Sequence, residues 1–173
     1  MDELQRLEPE EFLKTGKFPY VLVLDNIRSA LNVGSVFRTA DAFASEGLIL
    51  CGFTATPPHK EILKTSLGAS STVNWQHFQD TEEAIKFLKE KGYTIVCLEQ
   101  TDQSIKLQSF NIDKELKYAF VLGNEVEGVG NEFLKHADMA IEIPQFGTKH
   151  SINVAVCAGI IGWHFIGQRN FEM

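Results

Sequence analysis

Short apolar runs rich in β-branched residues recur at residues 20–24, 48–51, 73–78, 94–98, 118–122 and 140–143, each with the length of a buried strand. Between them the apolar period changes. From 31 to 43, Val33, Val36, Phe37 and Ala40 fall on one helical face. Asp80 precedes TEEAIKFLKEKG, with Glu83 at capping-box spacing and Gly92 as a stop. A last helix is expected from about Asn153 to about Gln168. Strands alternating with helices predict the α/β class, a mostly parallel sheet flanked by helices on both faces. No repeat or low-complexity tract interrupts the 173 residues, so one domain, 1–173, is expected. The stretch FTATPPHKEILKTSLGASS reads as the main irregular region, with Pro57 and Pro58 fixing an extended start.

Composition adds a compartment and removes some chemistries. The uncharged run 154–166 contains His164 and is shorter than the roughly 20 residues a bilayer span needs. The acidic start MDELQRLEPEEF has neither the basic opening of a secretory signal nor the character of a transit peptide. Cys51, Cys97 and Cys157 are odd in number, dispersed and set in apolar segments, which predicts buried thiols in a reducing cytoplasm. His59, His77, His136 and His164 show no metal-ligand spacing, so no metal and no membrane partner is expected. A net charge of −7 argues against a nucleic-acid partner until its distribution is considered. Eleven acids against six bases fall between Asp80 and Glu132, whereas residues 143–170 hold no acid but include Lys149 and Arg169.

Ligands of open α/β sheets sit beyond the carboxyl ends of strands. Three such ends are polar or glycine-rich: LDNIRSALNVGSVFRTADAF, FVLGNEVEGVG and IPQFGTKHSINVAV. In the first, Asn32 stands near a helix start and Arg38 six residues further in, well round the helix from it. Helix starts and arginine both suit an anion; the alternative is that Asn32 caps the helix while Arg38 pairs with Asp41. The second has no GxGxxG and no Gly-Lys-Ser/Thr following its glycines, which disfavours a nucleotide triphosphatase or an ordinary dinucleotide enzyme. Gly123 there permits close backbone approach, and Glu125 lies just beyond it, unless the segment is only a tight turn with a solvated carboxylate. In the third, Ser151 can cap the last helix, and Asn153 is the first polar group facing out of it. Behind them Ala155, Ala158, Gly159 and Gly162 allow close packing, within the monomer or against a second subunit.

Taken in order, NVGSVFRTADAF, FVLGNEVEGV and IPQFGTKHSINVAVCAGI resemble the three motifs of the SpoU/TrmH family of RNA ribose 2′-O-methyltransferases, in the SPOUT superfamily. The resemblance extends over residues 20–167. It implies a C-terminal deep trefoil knot, an exception to the rule that chains do not thread. It also implies a homodimer with the last helix at its interface and S-adenosyl-L-methionine in the knot. Carried over position by position, the catalytic set is Asn32, Arg38, Glu125, Ser151 and Asn153. The cofactor contacts are Leu98, Gly123, Ile143, Ser151 and Ile152. The implied reaction is in-line attack of a ribose 2′-hydroxyl on the sulfonium methyl. The family assigns proton acceptance to the first-motif arginine. A guanidinium pKa above about 12 makes a phosphate clamp the easier role for Arg38.

Gln145 and His150 depart from the family's usual methionine and arginine, which bears on substrate contacts. With no appended RNA-binding domain, the grip on RNA is expected from Arg28, Lys60, Lys64 and Lys149. Transfer RNA is favoured over ribosomal RNA, a D-loop guanosine being one candidate nucleotide. The rivals are a ribosomal RNA enzyme, a base-nitrogen methyltransferase, and a catalytically silent RNA-binding dimer, which would need none of the five polar residues.

Overall fold

The computed structural model describes residues 8–148 and 151–173, so Lys149 and His150 lie outside the described residues. A short helix α1 (Pro9–Lys14) precedes β1 (Phe18–Asp25), α2 (Ala30–Ala42), β2 (Ser45–Cys51), α3 (Lys60–Ser66), β3 (Trp75–Phe78), α4 (Thr81–Glu90) and β4 (Tyr93–Leu98). Then come β5 (Ile105–Lys106), β6 (Lys117–Leu122), α5 (Asn131–His136), β7 (Met139–Glu142) and α6 (Val154–Gln168). The strands form one seven-stranded sheet in the order β3-β2-β1-β6-β4-β7-β5, with all pairs parallel.

Alternation along β1 explains the two layers of helix. Tyr20, Leu22 and Leu24 face one side, packed with Val33, Val36 and Phe37 of α2 and Ala158, Ile161 and Phe165 of α6. Val21 and Val23 face the other, against Ala84, Ile85 and Leu88 of α4 and Phe133 of α5. Because both faces are covered, the central strands read as continuous apolar runs. The feature that builds a site is the insertion of β6 between β1 and β4. It brings the carboxyl ends of β6, β4 and β7 side by side, the segments that precede two of the three polar loops.

Several local expectations change. The stretch expected to be irregular contains α3 and a 3-10 turn at Ala69–Ser71. Helix α3 is fastened to α2 by the Thr65 hydroxyl donating to Leu31 O at 2.9 Å. It lies so close that a Cβ on Gly34 would come 2.5 Å from Ile62 O. The cap of α2 is Ser29, whose side chain accepts from Asn32 N, and not Asn32. Asp41 accepts from the Thr72 hydroxyl at 2.7 Å in place of the expected Arg38. Asp80 caps α4 by accepting from Glu82 N at 2.9 Å, in place of the reciprocal pair with Glu83. The cap of α6 is Asn153, two residues beyond the expected Ser151.

The small residues of α6 divide between two faces. Ala158 is fully buried in the monomer's own core. A Cβ on Gly162 would lie 2.8 Å from Phe43 Cδ2, so it too serves internal packing. Gly159 faces open space, with Val156 and Trp163 exposed on the same helix. Among the described residues no helix is long and apolar enough to cross a membrane, no acid, His and Cys cluster could hold a metal, and the three cysteines are free.

Candidate active site

The carboxyl ends of β4, β6 and β7 and the entry to α6 enclose a cleft of about 830 Å³. Its walls include Leu98, Gly123, Ile143, Ser151 and Ile152, so all five residues expected to touch a cofactor line one cavity. The volume falls inside the roughly 300–1,000 Å³ of small-molecule sites. Leu98, Leu122, Ile141, Ile143 and Ile152 give it apolar walls, and Glu99, Glu125, Glu127 and Glu142 bring four carboxylates. Lys106 is the cation lining it among the described residues. Such a cleft suits a ligand with a flat apolar body and a positive centre.

The loop after β6 is shaped by close backbone approach. A Cβ on Gly123 would lie 2.1 Å from Gly128 C and 2.2 Å from Val129 N. Asn124 and Gly128 exchange backbone hydrogen bonds of 2.8 and 3.0 Å, closing the loop into a ring. The Asn124 side chain, itself buried, donates to Asn26 O at 2.7 Å and accepts from Val126 N at 2.9 Å.

Beside this ring the three polar segments are joined by one directional chain of hydrogen bonds. Asn153 Oδ1 accepts from Ala155 N at 2.9 Å to cap α6, which turns its Nδ2 toward Asn32 Oδ1 at 3.1 Å. Asn32 must then present its own Nδ2 outward, and it donates to Glu125 Oε1 at 3.1 Å. The mutual constraint fixes both amide orientations. Glu125 also accepts from Arg28 N at 3.1 Å and Ser29 N at 3.4 Å, so its carboxylate sits on the open amides before α2. Burial pulls the Glu125 pKa up. Backbone donation from Glu125 itself, Arg28 and Ser29, together with the Asn32 side chain, outweighs burial and leaves the pKa lowered.

Arg38 is not part of this chain. It is exposed and lines a separate groove of about 540 Å³ with Ser35, Thr39, Lys64, Thr65 and Gly159, between α2, α3 and α6. The six-residue spacing, about 120° apart on the helix, had already put it on a different side from Asn32. Lys60 and Lys64 are exposed one turn apart on α3, and Lys64 shares the Arg38 groove. The Arg28 side chain is exposed while its amide is held by Glu125. Lys149 and His150, which complete the expected cation set and the third motif, lie outside the described residues. Ser151 is exposed at the cleft edge.

Sequence reasoning missed two carboxylates that brace the loop. Asp25 Oδ2 accepts from Gly130 N at 2.8 Å, and Glu99 Oε2 accepts from Val129 N at 2.9 Å. Burial pushes the Asp25 carboxyl up, against the pull of the Gly130 amide and the Asn26 side chain. Burial, with Asp25 and Glu99 nearby, pushes the Cys97 thiol up to about 12, so it is no nucleophile. An acid closing the apolar run YVLVLD was the available signal for Asp25.

Comparison with known proteins spans all three segments. Residues 19–163 match the family model described as the SpoU rRNA Methylase family. The chain belongs to the SpoU rRNA Methylase family. This SpoU chain is 32% identical over 143 residues to the 23S rRNA (guanosine-2′-O-)-methyltransferase RlmB of Neisseria meningitidis, a match covering 83% of the chain and 56% of that protein. It resembles the AdoMet-bound rRNA methyltransferase from Sinorhizobium meliloti with a TM-score of 0.82 and 27% identity, over 98% of this chain and 63% of that one. The A. aeolicus TrmH/SpoU tRNA modifying enzyme gives a TM-score of 0.82 at 25% identity, over 94% of this chain and 81% of that one. The SpoU chain therefore spans little more than half the length of RlmB, and the parallel α/β fold is shared with solved family members.

Proposed function

We propose that this chain is an S-adenosylmethionine-dependent RNA methyltransferase that modifies a ribose 2′-hydroxyl in the cytoplasm, with transfer RNA ahead of ribosomal RNA as substrate. The single observation that carries this reading is the joining of three distant segments, through Asn32, Glu125 and Asn153, at the edge of one cleft. Family membership supports the reaction class. The relatives' names include both rRNA and tRNA enzymes. Of the three compared, the tRNA-modifying neighbour is the one whose length this chain covers most fully.

The residues fit the cofactor. Gly123 leaves out a Cβ where backbone crowds, Leu98, Ile143 and Ile152 offer an apolar bed for an adenine ring, and the carboxylates of Glu127 and Glu142 favour a cationic sulfur. When bound, S-adenosylmethionine would supply the methyl group to the ribose oxygen and be left as the thioether S-adenosylhomocysteine, with the hydroxyl proton passing to water at the open cleft. The chain's own task is alignment. Glu125 is a poor proton acceptor, because three neighbours already donate to its carboxylate and hold it ionised. Its role is to lock the second motif onto the start of α2. Asn32 and Asn153 extend that lock to α6. Ser151, at the cleft edge, orients the ribose hydroxyl.

Arg38 acts as a phosphate clamp, with Lys64, Ser35 and Thr39 sharing its groove. That groove includes Gly159, on the outward face of α6 with Val156 and Trp163. A homodimer seam along this face covers the exposed apolar side chains and brings Arg38 to the boundary between subunits. The insertion of β6 between β1 and β4, followed by return of the chain after β7 to pack α6 on α2, supports a trefoil-knotted C-terminal part.

Calorimetric titration with S-adenosylmethionine, then methyl transfer to bulk tRNA with ribosomal RNA in parallel, tests the proposal. Stoichiometric binding and transfer to tRNA are expected. Binding without transfer to either RNA, or no binding at all, overturns the proposal and leaves the silent RNA-binding dimer in its place.

A further inference from the structure

We propose that Glu99 and Asp25 are positioning residues whose carboxylates hold the 123–130 loop in the shape the cofactor cleft requires, an inference that rests on the function proposed above. Asp25 is the last residue of β1, and Glu99 is the first after β4. Since β6 lies between these strands, the two carboxylates flank the loop leaving β6 from opposite walls. Two successive amides returning along that loop are divided between them: Val129 N donates to Glu99 Oε2 at 2.9 Å and Gly130 N to Asp25 Oδ2 at 2.8 Å.

Each carboxylate is itself oriented by a second bond. Glu99 Oε1 accepts from Gln100 N at 3.1 Å, and Asp25 Oδ1 accepts from Asn26 Nδ2 at 2.8 Å. The fit is tight enough to dictate residue type. Gly128 has φ +73°, and a Cβ there would lie 2.3 Å from Glu99 Oε2. On the inner side the same backbone presses against Gly123. The returning arm is therefore held between Gly123 and Glu99, and both of these line the cleft. Asp25 sits behind, 2% exposed. An ionisable group is rarely buried without paired donors, and here its donors belong to the loop and its neighbour Asn26. Both side chains act as acceptors for backbone; charge is not what the loop amides demand.

That distinction makes the test. S-adenosylmethionine affinity is measured by calorimetry for the wild type, Glu99→Ala and Glu99→Gln, with the urea midpoint of each. Glu99→Ala is expected to bind at least about tenfold more weakly at a nearly unchanged midpoint, because Val129 N loses its acceptor and the loop relaxes. Glu99→Gln retains one acceptor oxygen for Val129 N but loses the second for Gln100 N, and is expected to bind more weakly than wild type yet clearly more tightly than Glu99→Ala. Asp25→Ala, expected to weaken binding as well, is read only through the exchange rate of the Gly130 amide relative to amides in β1, and should raise it selectively. Wild-type affinity in Glu99→Ala overturns the inference. So does a Glu99→Gln variant as weak as Glu99→Ala, since charge toward the cofactor would then be what matters. A wild type that binds no S-adenosylmethionine overturns the proposed function and this inference together, whereas equal binding by wild type and Glu99→Ala overturns the inference alone.

Discussion

Replacing Gly123 by alanine puts one methyl group where the cleft-lining loop folds back on itself. The new Cβ would lie 2.1 Å from Gly128 C, 2.2 Å from Val129 N and 2.4 Å from Gly128 O, against 3.4 Å for ordinary contact. All three are backbone atoms, so no side-chain rotation relieves the overlap, and the returning arm must move by about an ångström. Moving it stretches the Asn124–Gly128 pair and pulls Val129 N from Glu99. Overpacking of this kind costs about 1–3 kcal/mol. Restricting the unfolded chain returns only about 0.4–1 kcal/mol. The net expectation is a loss of about 1–2 kcal/mol in urea denaturation, with S-adenosylmethionine affinity down at least about tenfold by calorimetry. Gly147→Ala is the control: it lies on the same cleft with nothing within 4 Å, and its stability should stay within about 0.5 kcal/mol of wild type. An unchanged urea midpoint with full affinity in Gly123→Ala would refute the loop geometry.

Gly34→Ala should gain up to about 1 kcal/mol from helix propensity, but its Cβ would meet Thr65 Oγ1 at 2.1 Å and Ile62 O at 2.5 Å, so a net loss of about 1–2 kcal/mol is expected on thermal unfolding, whereas Gly159→Ala, in open space, should raise monomer stability. The Glu125 pKa is lowered on folding, so its contribution is present above the ordinary carboxylate range and lost as pH falls through the folded value. Urea midpoints should accordingly fall more steeply for wild type than for Glu125→Gln between about pH 5 and pH 3, and parallel curves would contradict the hydrogen-bonded carboxylate. Arg38→Lys keeps the charge but loses the guanidinium fork, and turnover should drop below about a tenth of wild type; near-normal turnover would remove Arg38 from phosphate recognition.

How much of this was written in the sequence depended on whether the signal was local. The central strands were legible because burial on both faces makes them continuous apolar runs, and α2, α4 and the final helix because of their period or run length. The two residues of β5 are both exposed and pair only with β7, so no pattern marks them. Helix α3 buries little beyond Ile62 and Ser66, too few positions to show a period against flanking prolines and glycines. Ser151 and Asn153 are both good caps two residues apart, and only the tertiary bond to Asn32 decides between them. Of the five positions expected to touch a cofactor, four lie in the ordered motifs and Leu98 closes β4, and all five converge on one cleft. Asp25 and Glu99 escaped because their role depends on β6 sitting between β1 and β4, a long-range placement that neither spacing nor composition encodes. Arg38 carries the opposite lesson: its helical angle from Asn32 was readable, and the structure puts it in its own groove.

The central claim is transfer of a methyl group to a ribose oxygen, and one measurement addresses it directly. RNA methylated by this chain from methyl-labelled S-adenosylmethionine is hydrolysed in alkali, which cleaves only where a free 2′-hydroxyl is present. The account predicts that the label is recovered in alkali-resistant dinucleotides and that Arg38→Lys removes most of it. Label recovered in single nucleotides, carried on the base, would contradict it.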